Sequence, residues 1–417
     1  MPFGPVPRLP HMLAAAFSPA PGFLCVRAAR PGDGKMRRLA HALARFIALL
    51  PFALALAGPP ELPGLHPQPD LGLFWDKLLT VRAAGGHKQN ALLSAFNPQD
   101  TPLVVAGLEF FATRLPVDGH AFTLYASADE RRYLNPVEIA PSDPVVRGER
   151  TVLSQASYKW YGSTWVPSVA FTYLHAEQAF DATEIASDPG FIRAIGDSLM
   201  LAPTLRYRFP AHLYVEAGLP VNRQLFKAPV SSHWEYGPKL LVGLAYGTNS
   251  ACELSFQDTA RPFDTRLQTD PLGQPLAGTL LTTHDQRFEA VWRHTWNVTH
   301  RFQTTLRGFH VIRADNGAGF SDYTRVGTAL GARFDAGKWG FRSQARWSTY
   351  DFALQIISVF EPIPRTRVET DVEAHVEYRW TPRLRTYAEY FHERQDSNVA
   401  ADRYRSHTWI AGIEADF

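Results

Sequence analysis

The chain has 417 residues, of which 45% are hydrophobic and 12% aromatic, and its mean hydropathy is −0.18. Its 42 basic and 40 acidic side chains give a formal net charge of +2 without a basic stripe, so nucleic-acid binding is not expected. Beyond about the first sixty residues no apolar run could form a membrane-spanning helix, so any membrane-spanning part must consist of strands.

Cysteine use gives no sign of a metal or redox site. Cys25 and Cys252 lie far apart in the chain, and Cys25 precedes the expected mature protein. Neither a disulfide framework nor a thiolate metal site is therefore predicted, and no cofactor is expected.

A secretory signal peptide is predicted at residues 36–57, "MRRLAHALARFIALLPFALALA". It has a basic start, an apolar core, and small residues at A-x-A spacing before a cleavage site after Ala57. A buried helix is the alternative, but Pro51 interrupts it and a Pro-rich linker follows at 58–71. Residues 1–35 resemble no targeting signal, and we interpret them as an upstream extension that is not native, with the true start at Met36.

From residue 72 to residue 417 the sequence divides into segments of alternating polarity, each long enough for a tilted membrane-spanning strand. Short and long connections between them alternate. For example, "PLVVAGLEFFATR" turns tightly through "LPVDG" into "HAFTLYASAD", and a long polar stretch follows. Residues 72–417 are therefore predicted to form an all-β, transmembrane antiparallel up-and-down β-barrel of about sixteen strands, with both ends on the same side.

The closing segment, "YRSHTWIAGIEADF", ends the chain on an aromatic residue in register with its apolar face. The polar face carries Thr408, Gly412, Glu414 and Asp416, and the apolar face carries Trp409, Ala411, Ile413, Ala415 and Phe417. An ordinary edge strand is the alternative interpretation. The segment resembles the terminal strand of Gram-negative outer-membrane barrels, which typically ends on Phe and is recognised by the assembly machinery. The resemblance implies an outer-membrane location and makes Trp409, Ile413 and Phe417 the candidate assembly signal.

Aromatic residues recur where strands approach the tight turns, the position at which amphipathic rings meet the lipid head groups. The candidate interface aromatics are Trp160, Tyr207, Tyr246, Trp296 and Trp380. A soluble two-layer β-sandwich also alternates in polarity, but it does not explain the leader, the terminal Phe417 and this girdle together.

The polar faces of the later strands are densely charged, most clearly in "TRVETDVEAHVEYRW". Unpaired charges cannot be buried in an apolar core, so these faces must meet water or each other. A barrel of about sixteen strands encloses an aqueous channel unless it is plugged. The candidate pore-lining residues are Arg287, Glu289, Arg293, Arg301, Arg307, Arg333, Arg342, Arg346, Glu369, Asp371, Glu373, His375 and Glu377.

This architecture resembles the general porin family, in which the third outer loop folds into a sixteen-stranded barrel and narrows it. Here the stretch after the fifth predicted strand is the longest connection, and its acidic residues are the candidate constriction loop: Glu177, Asp181, Glu184 and Asp188. Two alternatives stay open: the loop is a solvated external flap, or the inward arginines mostly pair with neighbouring carboxylates.

The preferred function is a porin-like channel for passive diffusion of small hydrophilic solutes. One alternative is a barrel enzyme acting on lipid or peptide, for which His375 between Glu373 and Glu377 is the best candidate. Another is a structural or assembly barrel. Expected partners are outer-membrane lipid, the barrel-assembly machinery and small solutes, and the porin resemblance implies a possible homo-oligomer.

Overall fold

The structure of the protein is a computed structural model, and it describes residues 75–137, 145–181, 191–228, 230–247, 249–358 and 361–417. The predicted extension, signal peptide and linker, together with residues 72–74, lie outside the described residues. No helix in the described part of the chain is long and apolar enough to cross a bilayer.

The described part of the chain forms one antiparallel sheet of 18 β-segments. The segments are β1 Trp75–Gln89, β2 Thr101–Val117, β3 His120–Val137, β4 Val146–Trp160, β5 Trp165–Asp181, β6 Phe191–Arg208, β7 Leu213–Gly218, β8 Val221–Phe226, β9 His233–Tyr236, β10 Lys239–Ala245, β11 Ala251–Pro262, β12 Thr282–Asn297, β13 Phe302–Asp315, β14 Tyr323–Ala336, β15 Trp339–Ser358, β16 Glu361–Arg379, β17 Leu384–Ser397 and β18 Tyr404–Asp416.

Four of these segments are halves of two interrupted strands. β7 and β8 are separated at Leu219 and Pro220, and β9 and β10 are separated at Gly237 and Pro238. Proline has no N–H to donate to a ladder, so each proline breaks the pairing while the strand continues in direction. Counted as whole strands, the sheet has 16, and β1 pairs with β2 on one side and β18 on the other. The predicted closed barrel of about sixteen strands is confirmed.

Short turns and longer connections alternate around the barrel, as the sequence predicted. The turn between β2 and β3 is Asp118–Gly119, with φ values of 52° and 82° that fit a type I′ hairpin. The longer connections lie at the opposite end, which in barrels of this type faces the cell exterior. We call the two ends inner, with the short turns, and outer.

The third outer connection is not the longest, which corrects the prediction from sequence. β5 continues to Asp181 and β6 begins at Phe191, so this connection comprises only residues 182–190. The longest connection comprises residues 263–281, between β11 and β12. The polar residues of 177–181 and 191–198 suggested a loop because these strands extend beyond the apolar band, where their outward side chains no longer need to be hydrophobic.

The two faces of the wall differ as the alternation predicted. Large apolar side chains such as Leu254, Leu330 and Ile413 are exposed on the outward face, where lipid would cover them. Cys252 is also exposed on this face. The inward face carries charged and polar side chains. The last residue, Phe417, completes the closing seam because its N–H donates to the Leu79 carbonyl at 2.8 Å.

Candidate functional site: the lumen of the barrel

The inward row of β16 forms the acidic side of the lumen. Glu369 accepts ion pairs at 3.0 Å from both Arg325 and Arg367, and Asp371 pairs with Arg346 at 2.5 Å. Glu377 pairs with Arg379 and lies 3.6 Å from Arg342. Glu369, Asp371 and Glu377 are thus paired with arginines of their own and neighbouring strands, the alternative raised from sequence.

His375 belongs to the same network. Its Nδ1 lies 3.1 Å from Glu389, its Nε2 lies 3.6 Å from Glu377, and its ring stacks on Tyr387 with centroids 5.7 Å apart. The imidazole is buried, and no serine is hydrogen-bonded to it within the described residues. Its contacts fit an ion-pair role in the wall.

A basic sector follows from β12 to β15. Arg287 and Arg307 converge on Glu289, the latter at 2.8 Å, and Arg333 pairs with Asp335 at 3.0 Å. Asp335 also accepts Arg301, at 3.8 Å. Arg301 lies in the turn 298–301 with a φ of 45°, so it reaches the lumen from the inner end rather than from a strand. Arg293 points inward and has no carboxylate within ion-pair distance in the described chain.

On the inner face of the wall, arginines and aromatic rings alternate from one strand to the next, on the outer side of this sector. We call them the stacked row. Arg287 lies over Phe309 at 5.9 Å, Arg325 lies over Phe309 at 5.4 Å and over Tyr350 at 4.4 Å, and Arg367 lies over Tyr350 at 4.0 Å. Each guanidinium thus gains cation–π contacts as well as carboxylate partners. Packing of this kind fixes long side chains that would otherwise be mobile in water.

A second row lies closer to the outer end. Arg313 and Asp285 form a bidentate pair with both N–O distances at 2.7 Å, and Arg313 lies over Tyr323 at 4.7 Å. Arg261 bridges Glu235, at 2.7 Å, and Asp285, at 3.5 Å. Paired planar groups of this geometry are the strong form of ion pair. They join four neighbouring strands near the outer mouth.

Together with their neighbours, these side chains close a ring that we call the outer neck. Each of the sixteen strands contributes at least one inward side chain near its outer end that is at most 7% exposed. These residues are Lys88, Leu103, Tyr133, Val146, Ala176, Ala194, Gln224, His233, Arg261, Asp285, Arg313, Tyr323, Tyr350, Arg365, Gln395 and Ser406. At this level every strand therefore has an inward side chain that is packed against its neighbours.

The lumen is wetter below the outer neck. Side chains of Arg307, Asp371 and Arg379 are 35%, 32% and 34% exposed, respectively, although all three point inward and are ion-paired. Charged groups with this exposure face water rather than an apolar core. Below the outer neck, part of the lumen is thus lined by partly exposed charged side chains, and we call this part the vestibule.

The first outer connection, residues 90–100, contributes to the closure. Ala91, Leu92 and Leu93 are buried, and Ala91 and Leu92 pack in one apolar cluster with inward residues that include Leu103. Asn90 holds this fold: its side chain accepts the Ser94 N–H at 2.8 Å and donates to the carbonyls of Ser94 and Arg405 at 3.0 and 3.1 Å. The apolar start of this connection therefore packs inside the mouth.

Beside this connection, Lys88 donates to Glu149 at 2.7 Å, and Tyr133 donates to the same carboxylate at 2.6 Å. Arg131 approaches Glu149 at 3.7 Å and lies over the Phe391 ring at 5.6 Å. Phe391 is on β17, four strands from Arg131 around the closed barrel, so this contact spans a chord of the lumen.

The predicted constriction loop is not supported where the structure describes it. Glu177 lies in β5, not in a loop, and it has the outward parity of Phe171, which is exposed on the lipid side. It is opposite Arg150 in the ladder. Asp181 is also a strand residue, and Glu184 and Asp188 lie outside the described residues. Glu177 therefore does not line the lumen, whereas buried residues of the first connection do pack inside the mouth.

The candidate interface aromatics lie at the inner ends of their strands. Trp160, Trp296 and Trp380 are exposed, and Tyr207 packs edge-on against Trp165 with centroids 4.6 Å apart. Tyr246 stacks on His294. In the closing strand, Trp409, Ile413 and Phe417 are exposed on the outward face. These positions fit a membrane interface at the short-turn end.

Sequence reasoning missed the aromatic residues of the stacked row. Phe309 and Tyr350 lie at inward positions, where an aromatic residue interrupts the expected polar row. The available signal was the repeated placement of an arginine opposite or beside an inward aromatic on adjacent strands. The Lys88–Glu149 pair joins strands that are distant in sequence, so no local pattern indicated it.

No protein-family model and no curated protein matches the sequence. Several solved structures align with most of the chain. In vitro folded OmpT, an outer membrane protein of Vibrio cholerae, has 11% identity and a TM-score of 0.41, with 82% of this chain and 97% of that chain covered. OccAB4 of Acinetobacter baumannii has 9% identity and a TM-score of 0.45, covering 82% and 98%. OccK9 of Pseudomonas aeruginosa has 9% identity and a TM-score of 0.43, covering 84% and 100%.

The strand pairing of the chain defines its fold. The sheet is closed and antiparallel with an even number of strands, its outer face is apolar with aromatics at one rim, and its inner face is charged. A sheet can cross a bilayer only when it has no open edge. The chain is an outer-membrane β-barrel protein with a porin-like architecture.

Proposed function

We propose that this barrel is a channel for passive diffusion of small hydrophilic solutes, and that its constriction is the outer neck rather than an inserted third loop. The observation that carries the proposal is the hydrated vestibule, in which inward ion pairs such as Arg346–Asp371 remain in contact with water. A barrel with a purely structural role has no need for a charged, wet interior leading to one narrow level.

The charge arrangement supports a polar solute. Arginines of β12–β15 lie beside the carboxylates of β16 and β17 along the vestibule wall, so a strong local field lines the path. Such a field orients water and polar solutes and disfavours apolar ones, because an apolar solute displaces oriented water without replacing its interactions. The balance of cations and anions predicts weak ion selectivity.

The proposal contains no catalytic step. It treats His375 as part of the wall, on the strength of its contacts with Glu389, Glu377 and Tyr387. It also takes the outward residues Trp409, Ile413 and Phe417 as the signal read by the assembly machinery, and lipid as the partner of the outer face. A homo-oligomer through that face is part of the same proposal.

Planar-bilayer recording tests the proposal. The refolded protein is expected to give small, ohmic current steps with weak ion preference, and proteoliposomes should swell faster in small amino acids and sugars than in trisaccharides. Tyr350→Ala removes a buried aromatic ring of the outer neck and should increase the size of the current steps. Tyr378→Ala is the matched control, because its side chain faces lipid beside Trp339.

A correctly folded wild-type barrel that carries no current and passes no solute would overturn the channel. Equal steps in the wild type and in Tyr350→Ala would leave a channel but place its constriction elsewhere. Folding is checked in each case by the β-sheet signal in circular dichroism.

A further inference from the structure

Four basic side chains form two like pairs on the lipid-facing side of β17 and β18. His392 is directly opposite His407 in the ladder, and Arg394 is directly opposite Arg405. The alternation of each strand puts all four on the outward face, with Ile413 and Trp409. Like charges directly opposite each other destabilise a sheet unless something of opposite charge compensates them.

The protein supplies only part of that compensation. Arg394 pairs with Asp396 at 2.7 Å, whereas Arg405 has no carboxylate within ion-pair distance in the described part of the chain. In addition, His392 Nδ1 is buried without a hydrogen-bond partner. The described part of the protein thus provides one carboxylate for two guanidinium groups, and the Nδ1 atom of His392 beside them makes no hydrogen bond.

The outward charges of β3 and β4 show the contrast. There Arg150 is opposite Glu130, with an N–O distance of 3.5 Å, and Glu177 of β5 is opposite Arg150 on the other side. At that part of the outer rim, opposite charges alternate and balance. The excess positive charge on β17 and β18 is therefore a local feature and not a general property of the rim.

Aromatic rings lie directly below the basic groups. The Tyr390 and Trp409 rings are 4.0 Å apart, the hydroxyl of Tyr390 lies 2.8 Å from His407 Nδ1, and the two histidine rings stack at 4.6 Å. Arg405 is next to the start of β18, at the outer end of the barrel. The patch therefore passes from guanidinium groups at the rim, through imidazoles, to rings at the level where head groups meet acyl chains.

We propose that these residues bind a phosphate group on a phosphorylated glycolipid of the outer leaflet. A phosphate between Arg394 and Arg405 would accept planar, bidentate hydrogen bonds from guanidinium groups and neutralise their mutual repulsion. The histidines extend the polar surface inward, and Trp409 and Tyr390 offer flat faces to the sugar ring and the first part of an acyl chain. This site depends only on the outer-membrane location, and it stands whether or not the lumen conducts.

Native mass spectrometry of the folded barrel in detergent micelles tests the site. The probe is a bis-phosphorylated disaccharide lipid A, with the same lipid lacking phosphates as the ligand control. The wild type is expected to retain the phosphorylated lipid, and the double variant Arg394→Gln, Arg405→Gln should bind it on the order of tenfold more weakly. Arg150→Gln removes an equally exposed outer-rim arginine from a balanced pair and should leave binding unchanged.

Three results would overturn the proposal. The first is equal binding of the phosphorylated lipid by the wild type and the double variant. The second is equal binding of the phosphorylated and dephosphorylated lipids, which would mean that acyl chains alone are held. The third is displacement of the lipid by inorganic phosphate at comparable concentration, which would indicate a site for free phosphate. Matching circular dichroism spectra establish that each variant is folded.

Discussion

Gly327 allows an aromatic ring to lie in the stacked row. A β-carbon there would overlap the Phe309 ring and lie 2.7 Å from the carbonyl oxygen of Trp347. That ring separates Arg287 from Arg325 in the stacked row, so its position depends on the missing side chain. A glycine inside a strand is normally a weakness, and here the neighbouring ring covers it.

Gly327→Ala is therefore expected to destabilise the folded barrel by about 1–3 kcal/mol, the usual cost of overpacking a filled site. Urea unfolding in lipid vesicles measures this change. Gly308→Ala on the adjacent strand is the control, because a β-carbon there would meet no atom within 4 Å. Equal stability of the two variants would contradict the packing described for Phe309.

Asp322 gives the sixth outer connection, residues 316–322, a dependence on pH. Its carboxylate accepts the Asp315 N–H at 2.6 Å, and burial raises the pKa of Asp322 to about 6 from an ordinary value of 3.8. Because the folded state favours the neutral carboxyl, this stabilisation is complete below about pH 3.8 and is lost as the pH rises through about 6.

Hydrogen exchange corrected for intrinsic rates should show weaker protection of the Gly317, Gly319 and Ser321 amides at pH 7.5 than at pH 5. Asp322→Asn keeps an acceptor oxygen and removes the titration, so its protection should not change over this range. Amides of the turn 380–383 provide an internal reference. Protection in the wild type that grows with pH would contradict the assignment.

Individual residue roles were predictable where a strand alternates regularly. The inward positions of Glu369, Asp371 and His375 follow from period two alone, and the structure places them there. Glu177 was misassigned because its charge suggested a loop, whereas the strand extends above the apolar band. The stacked row was not predictable because an inward aromatic next to an arginine on another strand has no signature within one segment.

The first outer connection is shaped by one asparagine. Asn90 has a φ of 48°, and its side chain makes the three hydrogen bonds that turn the connection into the mouth of the barrel. Asparagine tolerates this left-handed conformation better than most residues, because its short side chain can bond locally. Alanine at this position lacks the hydrogen-bonding side chain and is less tolerant of the left-handed conformation.

Asn90→Ala should thus free the connection 90–100 from the lumen, at a cost of about 1–3 kcal/mol in its closed arrangement. Single-channel recording is expected to show a larger mean conductance and more frequent switching between levels. Asn97→Ala is the control because this residue is exposed in the same connection. An unchanged current in Asn90→Ala would mean that the connection does not narrow the path.

The strands themselves were the most predictable elements. Each membrane strand must present one face to lipid and the other to water over its whole length, so the alternation is strong and the turns are well marked. Connection lengths were less predictable, as β5 and β6 show, because strands that continue above the membrane lose the apolar half of the pattern. The two proline interruptions did not change the predicted strand count, because after each one the same alternate residues continue to face lipid.

The whole barrel is closed by the pairing of β1 with β18, from Thr80 opposite Asp416 to Gln89 opposite His407. Closure and strand number followed from the sequence, and the size of the barrel led to the expectation of a water-filled channel. The state of the interior did not follow, because it depends on how long side chains from sixteen strands meet across the lumen. Only the assembled ring shows that every strand has a buried inward side chain near its outer end.

Polymer access in planar bilayers distinguishes a channel that narrows at its outer neck from one of even width. With the barrel inserted in one orientation, polyethylene glycols of increasing size are added to one side at a time while the conductance is recorded. Polymers applied to the inner, short-turn side should enter the vestibule and lower the conductance at sizes that have no effect from the outer side. The same size limit from both sides, or a larger limit from the outer side, would contradict a channel that narrows at its outer neck.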